Sequence, residues 1–233
     1  MQIIELADGG ILMYDDAFLP PQVADRYFEE LRDHVEWEQK PGVFGHMQPR
    51  LTASYGDDGV TYRYSGTVNF ALPWTETLRE IKQQIETVQG SYNFCLLNRY
   101  RSGAGSVGWQ ADNERGTGSV IGSLSLGATR TFRIRHNTTK EVKLFPVSNG
   151  TLIIMAGTMQ QFSKHEIPKT TQHLGERINV TFRIILIATH VSAFAVVATL
   201  ISLCSTSIAS KIGDLLDSLV TCVVAAGFSF CHD

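Results

Sequence analysis

The sequence predicts an α+β fold in which two helices precede a set of strands that form a sandwich or roll into a barrel. Two amphipathic segments occur early, and at least six β-rich runs follow, separated by Gly, Asn-Gly and Pro turns. Helices and strands segregated along a chain in this way are typical of α+β proteins. The 233 residues, of which 43% are hydrophobic and 18% charged, are enough for one substantial globular core.

The two predicted helices cover residues 19–35 (LPPQVADRYFEELRDHV) and 75–88 (TETLREIKQQIETV). A Pro pair opens the first segment, which is a common way for a helix to begin. Each segment has one apolar face, so each is expected to cover one side of a larger structure. The apolar positions are Val23, Tyr27, Phe28 and Leu31 in the first helix, and Leu78, Ile81, Ile85 and Val88 in the second.

The predicted strands are the runs NFCLLNRY, SVIGSLSLG, TRTFRIRHN, EVKLFPV, TLIIMAG and RINVTFRIILI. The last run alternates strictly between two kinds of residue. Ile178, Val180 and Phe182 fall on one face, and the other face is polar. Two Arg in a terminal strand usually face solvent, but alternation as regular as this favours a polar interior. The polar face carries Arg177, Asn179, Thr181 and Arg183.

The charge and the cysteines limit the class of protein. A net charge of −3 does not indicate a nucleic-acid partner through the field of the whole molecule, so any basic binding surface must be local. The four Cys are widely spaced without a CxxC pair, which indicates neither a zinc site nor a disulfide framework. The N-terminus has no signal-peptide pattern. We therefore expect a protein of a reducing compartment, and not a secreted one.

The composition changes near residue 188, which predicts a main domain over 1–188 and an apolar tail over 189–233. No Asp, Glu, Lys or Arg occurs from Ile184 to Ser210. The stretch from Val191 to Ser210 is long enough to span a bilayer, yet it is rich in Ser and Thr. A C-terminal anchor, a buried helical hairpin and a read-through extension all stay open, and we favour an extension that takes no part in catalysis.

The heptapeptide GWQADNE, residues 108–114, concentrates groups that can bind a metal or a substrate. If it forms a strand, Gln110, Asp112 and Glu114 lie on one side of it. Taken alone, the stretch is more often a solvated edge or loop. Its neighbours, NRY upstream and both QQFSKHEIPK and RINVTFR downstream, change that interpretation.

These elements, in this order, resemble the AlkB family of iron(II)- and 2-oxoglutarate-dependent nucleic-acid dealkylases. The family pattern is Asn-x-Tyr, His-x-Asp-x-acid, a distant His, and Arg-x-Asn-x-x-x-Arg. The likeness extends from about Ile11 to Leu186, and VFG, PRLTASYGD and TYRYSG are similar to members that repair duplex DNA. The resemblance implies a double-stranded β-helix, a jelly-roll barrel with N-terminal supporting helices.

The resemblance implies an Fe(II) site made of Asp112 and His165, with Gln110 at the position of the first His ligand. Two His and one carboxylate are the ordinary ligands of non-haem iron oxygenases. A Gln carbonyl is neutral and is a poorer donor than imidazole. Three interpretations stay open: a retained but weakened iron site, a natural pseudoenzyme, and a substitution in an otherwise active sequence. We favour an enzyme site with impaired metal affinity.

The co-substrate implied is 2-oxoglutarate. A dicarboxylate needs a cationic fork at its far carboxylate, which Arg supplies in planar, bidentate form. By resemblance, Arg177 with Asn98 and Tyr100 holds that end, and Arg183 with Asn179 lies near the metal-chelating end.

The implied substrates are 1-methyladenine and 3-methylcytosine in DNA, which are cationic bases that an acidic Glu114 can select. Tyr62 or Tyr64 is expected to stack on the extruded base. Val43, Phe44 and Gly45 resemble the family's wedge that fills the vacated gap. Arg50 is expected to contribute a local phosphate contact.

The implied reaction is oxidative demethylation with release of formaldehyde. The alternative is a catalytically silent nucleic-acid-binding pseudoenzyme, and RNA or protein substrates stay open. We expect a monomer of the nucleus, or of the nucleoid and cytoplasm, with alkylated DNA as its partner and no membrane partner unless the tail is an anchor.

Overall fold

The computed structural model describes residues 1–42, 45–64, 67–114 and 116–186, with the backbone alone at positions 63, 64 and 67 to 69. Residues Met1–Ile187 form one compact unit. The apolar tail over 189–233 lies outside the described residues, so the boundary at 188 stays a prediction. Within the described ranges, no helix combines the length and apolar character needed to cross a membrane.

Two β-sheets make up most of the molecule. The larger sheet has the order β1 (Gln2–Glu5), β2 (Gly10–Asp15), β12 (Thr151–Gly157), β9 (Ile121–Gly127), β14 (Arg177–Arg183), β7 (Phe94–Tyr100), β3 (Leu51–Gly56) and β6 (Leu72–Pro73). The smaller sheet has the order β11 (Val142–Val147), β10 (Arg130–His136), β13 (Ser163–Ile167) and β8 (Val107–Gln110). A separate hairpin joins β4 (Thr61–Tyr64) to β5 (Thr67–Phe70). The predicted jelly-roll class is confirmed.

The helices support the larger sheet from outside. The predicted pair is confirmed as α1 (Pro21–His34) and α2 (Glu76–Glu86), and a third helix, α3 (Met159–Phe162), follows β12. The Thr75 hydroxyl caps α2 by accepting a hydrogen bond of 3.2 Å from the Leu78 N–H. Both long helices pack on the larger sheet through a buried apolar cluster that includes Tyr27, Leu31, Leu78, Ile81, Ile85, Leu97, Leu124, Ile154, Val180 and Phe182.

Six predicted strands are confirmed as β7, β9, β10, β11, β12 and β14. The last of them is shorter than predicted, because it ends at Arg183 and Ile185 then pairs only as an isolated bridge with Thr117. The hairpin β1–β2 and the strand β3 were not predicted. Their patterns are weak, since β1 has four residues that are mostly exposed.

GWQADNE does not form one continuous strand, which was the condition for Gln110, Asp112 and Glu114 to lie on one side. Strand β8 stops at Gln110, and Asp112 and Glu114 lie in the irregular segment after it. The N–H of Asp112 donates to the side-chain oxygen of Gln160, at 2.9 Å, and not to a neighbouring strand. A side-chain acceptor on α3 therefore replaces the strand hydrogen bond that the pattern had implied.

The space between the sheets is divided into an apolar part and a polar part. An apolar cluster draws on both sheets and includes Leu12, Ile121, Phe132, Ile134, Ile153, Met155 and Ile167. Beside it lies a pocket with polar walls, and the predicted polar face of β14 forms one of those walls. The opposite face of β14 belongs to the cluster beneath the helices.

Candidate active site

The central position of β14 in the larger sheet determines which side chains meet in the pocket. β14 pairs with β7 on one side, where Arg177 is opposite Tyr100 and Asn179 is opposite Asn98. It pairs with β9 on the other side, where Asn179 is opposite Ser125. Paired residues of antiparallel strands point to the same face. Polar side chains from three adjacent strands therefore line one wall.

Arg177 is a buried cation with unused hydrogen-bond donors. Its side chain is 2% exposed, and one terminal nitrogen donates to the Ser125 hydroxyl at 2.6 Å. In the described part of the chain, its Nε and Nη1 have no hydrogen-bond partner. Burial lowers the pKa of Arg177 to about 10, which leaves the guanidinium charged at neutral pH. A buried cation with unused N–H donors is suited to binding a carboxylate.

The aromatic and amide groups around Arg177 complete that end of the pocket. The guanidinium carbon lies 5.2 Å from the centroid of the Tyr100 ring. Asn98 accepts a hydrogen bond of 2.7 Å from Nε of Arg50, which is itself buried in the wall. The phosphate contact expected of Arg50 stays a prediction. Asn179 donates to the hydroxyl of Ser123 at 2.8 Å. This end of the pocket fits the far carboxylate of 2-oxoglutarate.

The candidate metal ligands come from the smaller sheet. His165 on β13 lies directly opposite Gln110 on β8. Nε2 of His165 is 3.8 Å from Oδ2 of Asp112, and both side chains are nearly inaccessible to solvent. The structure thus brings together the three residues that the resemblance implied, although Asp112 reaches the site from a loop.

Arg183 sets the charge state of Asp112. The two form an ion pair of 2.9 Å in which both side chains are buried. Burial alone would raise the pKa of Asp112, but Arg183 and His165 together outweigh that effect and hold the pKa below its ordinary value. Asp112 is therefore an anionic oxygen donor at neutral pH.

His165 is held as a neutral imidazole. Burial lowers its pKa, opposed in part by Asp112 and assisted by Arg183. Its ring stacks on Phe132, with ring centroids 5.4 Å apart. Within the described residues Nδ1 has no hydrogen-bond partner, so this stacking orients the ring without the second hydrogen bond usual in metal-binding His. A neutral His is the form that binds a metal.

These residues fit Fe(II) with two strong ligands and one weak ligand. A divalent ion lies about 2.0–2.2 Å from a His nitrogen or a carboxylate oxygen, so both His165 and Asp112 can reach one ion. The described residues contain no group of three or more His, Cys, Asp or Glu that could hold a metal. The amide of Gln110 lies opposite His165 on β8, and its role as a third, weaker donor stays a prediction.

Glu114 is positioned by a buried tyrosine. The Tyr62 hydroxyl donates to Oε2 of Glu114 at 2.8 Å, and the Tyr62 ring is 2% exposed and packs against Phe94. The guanidinium of Arg183 lies 5.0 Å from the centroid of the Tyr62 ring. Burial raises the pKa of Tyr62, so its hydroxyl stays protonated and continues to donate. The stacking role expected of Tyr62 stays a prediction.

The structure describes only some of the remaining residues predicted to contact the substrate. Val43 and Phe44 lie outside the described residues, as does the side chain of Tyr64. Gly45 is described and exposed, with a φ of 77°, a left-handed conformation that favours Gly. The wedge therefore stays a prediction.

Three contributors to the site were missed by sequence reasoning. Ser123 and Ser125 hold the side chains of Asn179 and Arg177, and Gln160 holds the backbone of Asp112. The two Ser could have been found, because they alternate with Leu in SVIGSLSLG and so share a face of the strand. No local pattern marks Gln160.

Comparison with known proteins places this chain in a family. A sequence profile described as the 2OG-Fe(II) oxygenase superfamily matches residues 11–183. A human DNA oxidative demethylase, ALKBH2, is 36% identical over 181 residues, which covers 70% of this chain and 69% of that protein. The human alpha-ketoglutarate-dependent dioxygenase alkB homolog 3 is 38% identical over 183 residues, covering 71% and 63% of the two chains.

Solved structures show the same fold at low sequence identity. The structure of OsALKBH1 matches with a TM-score of 0.52 and 16% identity, covering 78% of this chain and 100% of that one. A prolyl hydroxylase from Trichoplax adhaerens, solved with a hypoxia inducible factor peptide fragment, matches with a TM-score of 0.51 and 12% identity, covering 75% and 83% of the two chains. Both likenesses concern the fold alone.

Proposed function

Because the chain belongs to the 2OG-Fe(II) oxygenase superfamily, and within it to the AlkB-type dealkylases, we propose that it removes methyl groups from N-alkylated bases of DNA by oxidation. The protein is a dioxygenase whose metal is Fe(II) and whose co-substrate is 2-oxoglutarate. The observation that carries the proposal is the pocket in which Arg177, Asp112 and His165 converge. 1-Methyladenine and 3-methylcytosine are the proposed substrates.

Each side of the pocket has a distinct task in this reaction. Arg177, Asn98 and Tyr100 bind and orient the far carboxylate of the co-substrate, and Asp112 and His165 hold the metal. When bound, Fe(II) and 2-oxoglutarate supply the oxygen-activating chemistry that hydroxylates the N-methyl group. The hydroxymethyl base then releases formaldehyde, and succinate and carbon dioxide are the co-products. Arg177 and Arg183 are each 2% exposed, so the contacts that they make with the co-substrate form away from bulk water.

The relatives support DNA as the substrate, since the human relative is named for oxidative demethylation of DNA. The test is formaldehyde release from a duplex that contains 1-methyladenine, in the presence of Fe(II), with and without 2-oxoglutarate. We expect release that requires the co-substrate and is abolished by Asp112→Ala. Equal release without 2-oxoglutarate would contradict the proposal.

The pseudoenzyme is the second candidate, and Gln110 is the observation that favours it. If this candidate holds, the protein binds the methylated duplex in preference to an unmethylated one but releases no formaldehyde. Fluorescence anisotropy with both duplexes, run beside the formaldehyde assay, separates the two candidates.

We further propose that Glu114 selects cationic bases. 3-Methylcytosine is cationic and 3-methylthymine is neutral, although both carry the methyl group on the same ring nitrogen. Glu114→Gln removes the charge and keeps a group that can accept from Tyr62. We expect turnover of 3-methylcytosine to fall about 10-fold, equivalent to ~1.4 kcal/mol, with less than about 3-fold change for 3-methylthymine. Glu141→Gln, at an exposed position just before β11, is the matched control. An equal loss on both bases would contradict selection by charge.

A further inference from the structure

Arg130 is a second buried arginine beside the co-substrate end of the pocket. It lies at the start of β10 and is 5% exposed. Its Nη2 donates to the carbonyl oxygens of Gly105, at 2.8 Å, and of Pro168, at 2.6 Å. Longer contacts of 3.4 Å reach the carbonyls of Ser102 and Gly103. Every one of these partners is a backbone carbonyl.

The segments that Arg130 joins carry the site residues. Ser102, Gly103 and Gly105 belong to the loop that connects β7, which ends at Tyr100, to β8. Pro168 follows β13, which contains His165. One guanidinium therefore connects the end of β7, the loop that leads to β8 and the end of β13.

The charge of Arg130 is not neutralised by its partners. Carbonyl oxygens satisfy its donors without carrying a full negative charge, and none of the described carboxylates forms an ion pair with it. Burial lowers the pKa of Arg130, which is consistent with a cation removed from water. Keeping a cation without a counter-charge in a protein interior is energetically costly, so an anion placed nearby would stabilise it.

Arg177 is likewise a buried arginine, and both arginines contact the ring of Tyr100. The guanidinium carbons of Arg130 and Arg177 lie 5.7 Å and 5.2 Å from the centroid of the Tyr100 ring. The positive charge of Arg130 contributes to lowering the pKa of Arg177, so the two cations act on each other through the interior. Among the described residues, Arg177 donates to neutral Ser125 and forms no ion pair. A single anion placed at Arg177 relieves both charges.

We infer that Arg130 is a specificity determinant for the co-substrate, because its uncancelled charge favours a dicarboxylate over a 2-oxo acid that lacks the far carboxylate. The inference rests on the proposed placement of the far carboxylate at Arg177. Arg130 acts through Arg177 and the loops it holds, so it is a positioning residue with an electrostatic effect on selectivity.

A purely structural role of Arg130 would affect the binding of 2-oxo acids differently. If Arg130 only held the loops together, its loss would disturb the whole pocket and weaken all 2-oxo acids alike. If its charge matters, the loss weakens the ligand with the far carboxylate and has little effect on one without it. The matched ligands are 2-oxoglutarate and 2-oxopentanoate, which have the same chain length and differ in the terminal carboxylate.

The experiment is calorimetric titration of the full chain, saturated with Mn(II), with each of the two ligands. For Arg130→Gln we expect the affinity for 2-oxoglutarate to fall about 10-fold, and the affinity for 2-oxopentanoate to change less than about 2-fold. The control is Arg135→Gln, a half-buried arginine of the same strand whose guanidinium lies 4.3 Å from the centroid of the Trp109 ring. It should change neither affinity.

Arg130→Lys keeps the inference testable if Arg130→Gln does not fold. Lys retains the charge but lacks the planar fork that reaches several carbonyls. We expect a lower melting temperature with the preference for 2-oxoglutarate over 2-oxopentanoate preserved within about 3-fold. Loss of that preference in the Lys variant, or an equal weakening of both ligands in the Gln variant, overturns the inference. If the unaltered chain binds no 2-oxoglutarate, the proposed co-substrate site fails and takes the inference with it.

Discussion

We expect the Gln110→His protein to bind Mn(II) at least about 10-fold more tightly than the unaltered chain, because loss of even a supporting partner of a metal ligand commonly lowers affinity ~10–100-fold. The introduced imidazole would face His165 across the β8–β13 pair and lie beside Asp112, which completes two His and one carboxylate. Mn(II) suits the measurement because the free ion gives a strong electron paramagnetic resonance signal that decreases on binding. Formaldehyde release with Fe(II) should rise in parallel.

The control for this substitution is Gln110→Asn, which keeps a neutral amide and should not improve Mn(II) binding. Equal Mn(II) affinity in all three proteins would contradict the view that residue 110 limits the site. If the unaltered chain releases formaldehyde as fast as the Gln110→His protein, the pseudoenzyme candidate is eliminated. If only the substituted protein does so, the pocket is competent and Gln110 alone silences it.

The second large effect is expected at Arg183. Arg183→Met removes one partner of a buried ion pair and leaves the Asp112 carboxylate without its nearest compensating charge. Breaking such a pair typically costs ~3–5 kcal/mol in the free energy of unfolding. Urea denaturation of the metal-free protein at neutral pH measures the change.

Two further variants test whether the loss in the free energy of unfolding comes from burial of the ion pair or from pairing alone. Arg26→Met breaks an ion pair with Glu80 whose side chains are 56% and 41% exposed, and it should cost less than about 1 kcal/mol. The double variant Asp112→Asn with Arg183→Met removes both charges and should recover part of the lost stability. A loss of less than about 1 kcal/mol in Arg183→Met alone would mean that Asp112 is solvated or protonated when unpaired.

The parts of the site that could be predicted are those on regular strands. The alternation in RINVTFR predicted that Arg177, Asn179 and Arg183 share one face, and the structure places all three on the pocket wall. The reason is that a strand of seven residues with one apolar face has only one way to bury it. The apolar faces of α1 and α2 predicted their packing on the sheet for the same reason.

The parts that could not be predicted depend on contacts distant in sequence. Nothing near Asp112 indicates that its N–H will pair with Gln160. The sequence therefore could not predict that β8 ends before Asp112. The burial of Tyr62 behind Glu114 likewise results from the fold. Arg130 could have been predicted, because in RTFRIRH it falls on the same face of the strand as Phe132 and Ile134, which are buried. The alternation of the strand alone could have distinguished it from Arg133 and Arg135.

The helix α3 has a consequence for how this site tolerates changes in chain length. Gln160, on α3, holds the backbone of Asp112, and β13 with His165 begins at the residue after the same helix. An insertion or deletion of a single residue in this four-residue helix would displace both Asp112 and His165, the proposed metal ligands, although they lie far apart in sequence. In other members of the family, we therefore expect changes in the length of α3 to be accompanied by compensating changes in the loop after β8.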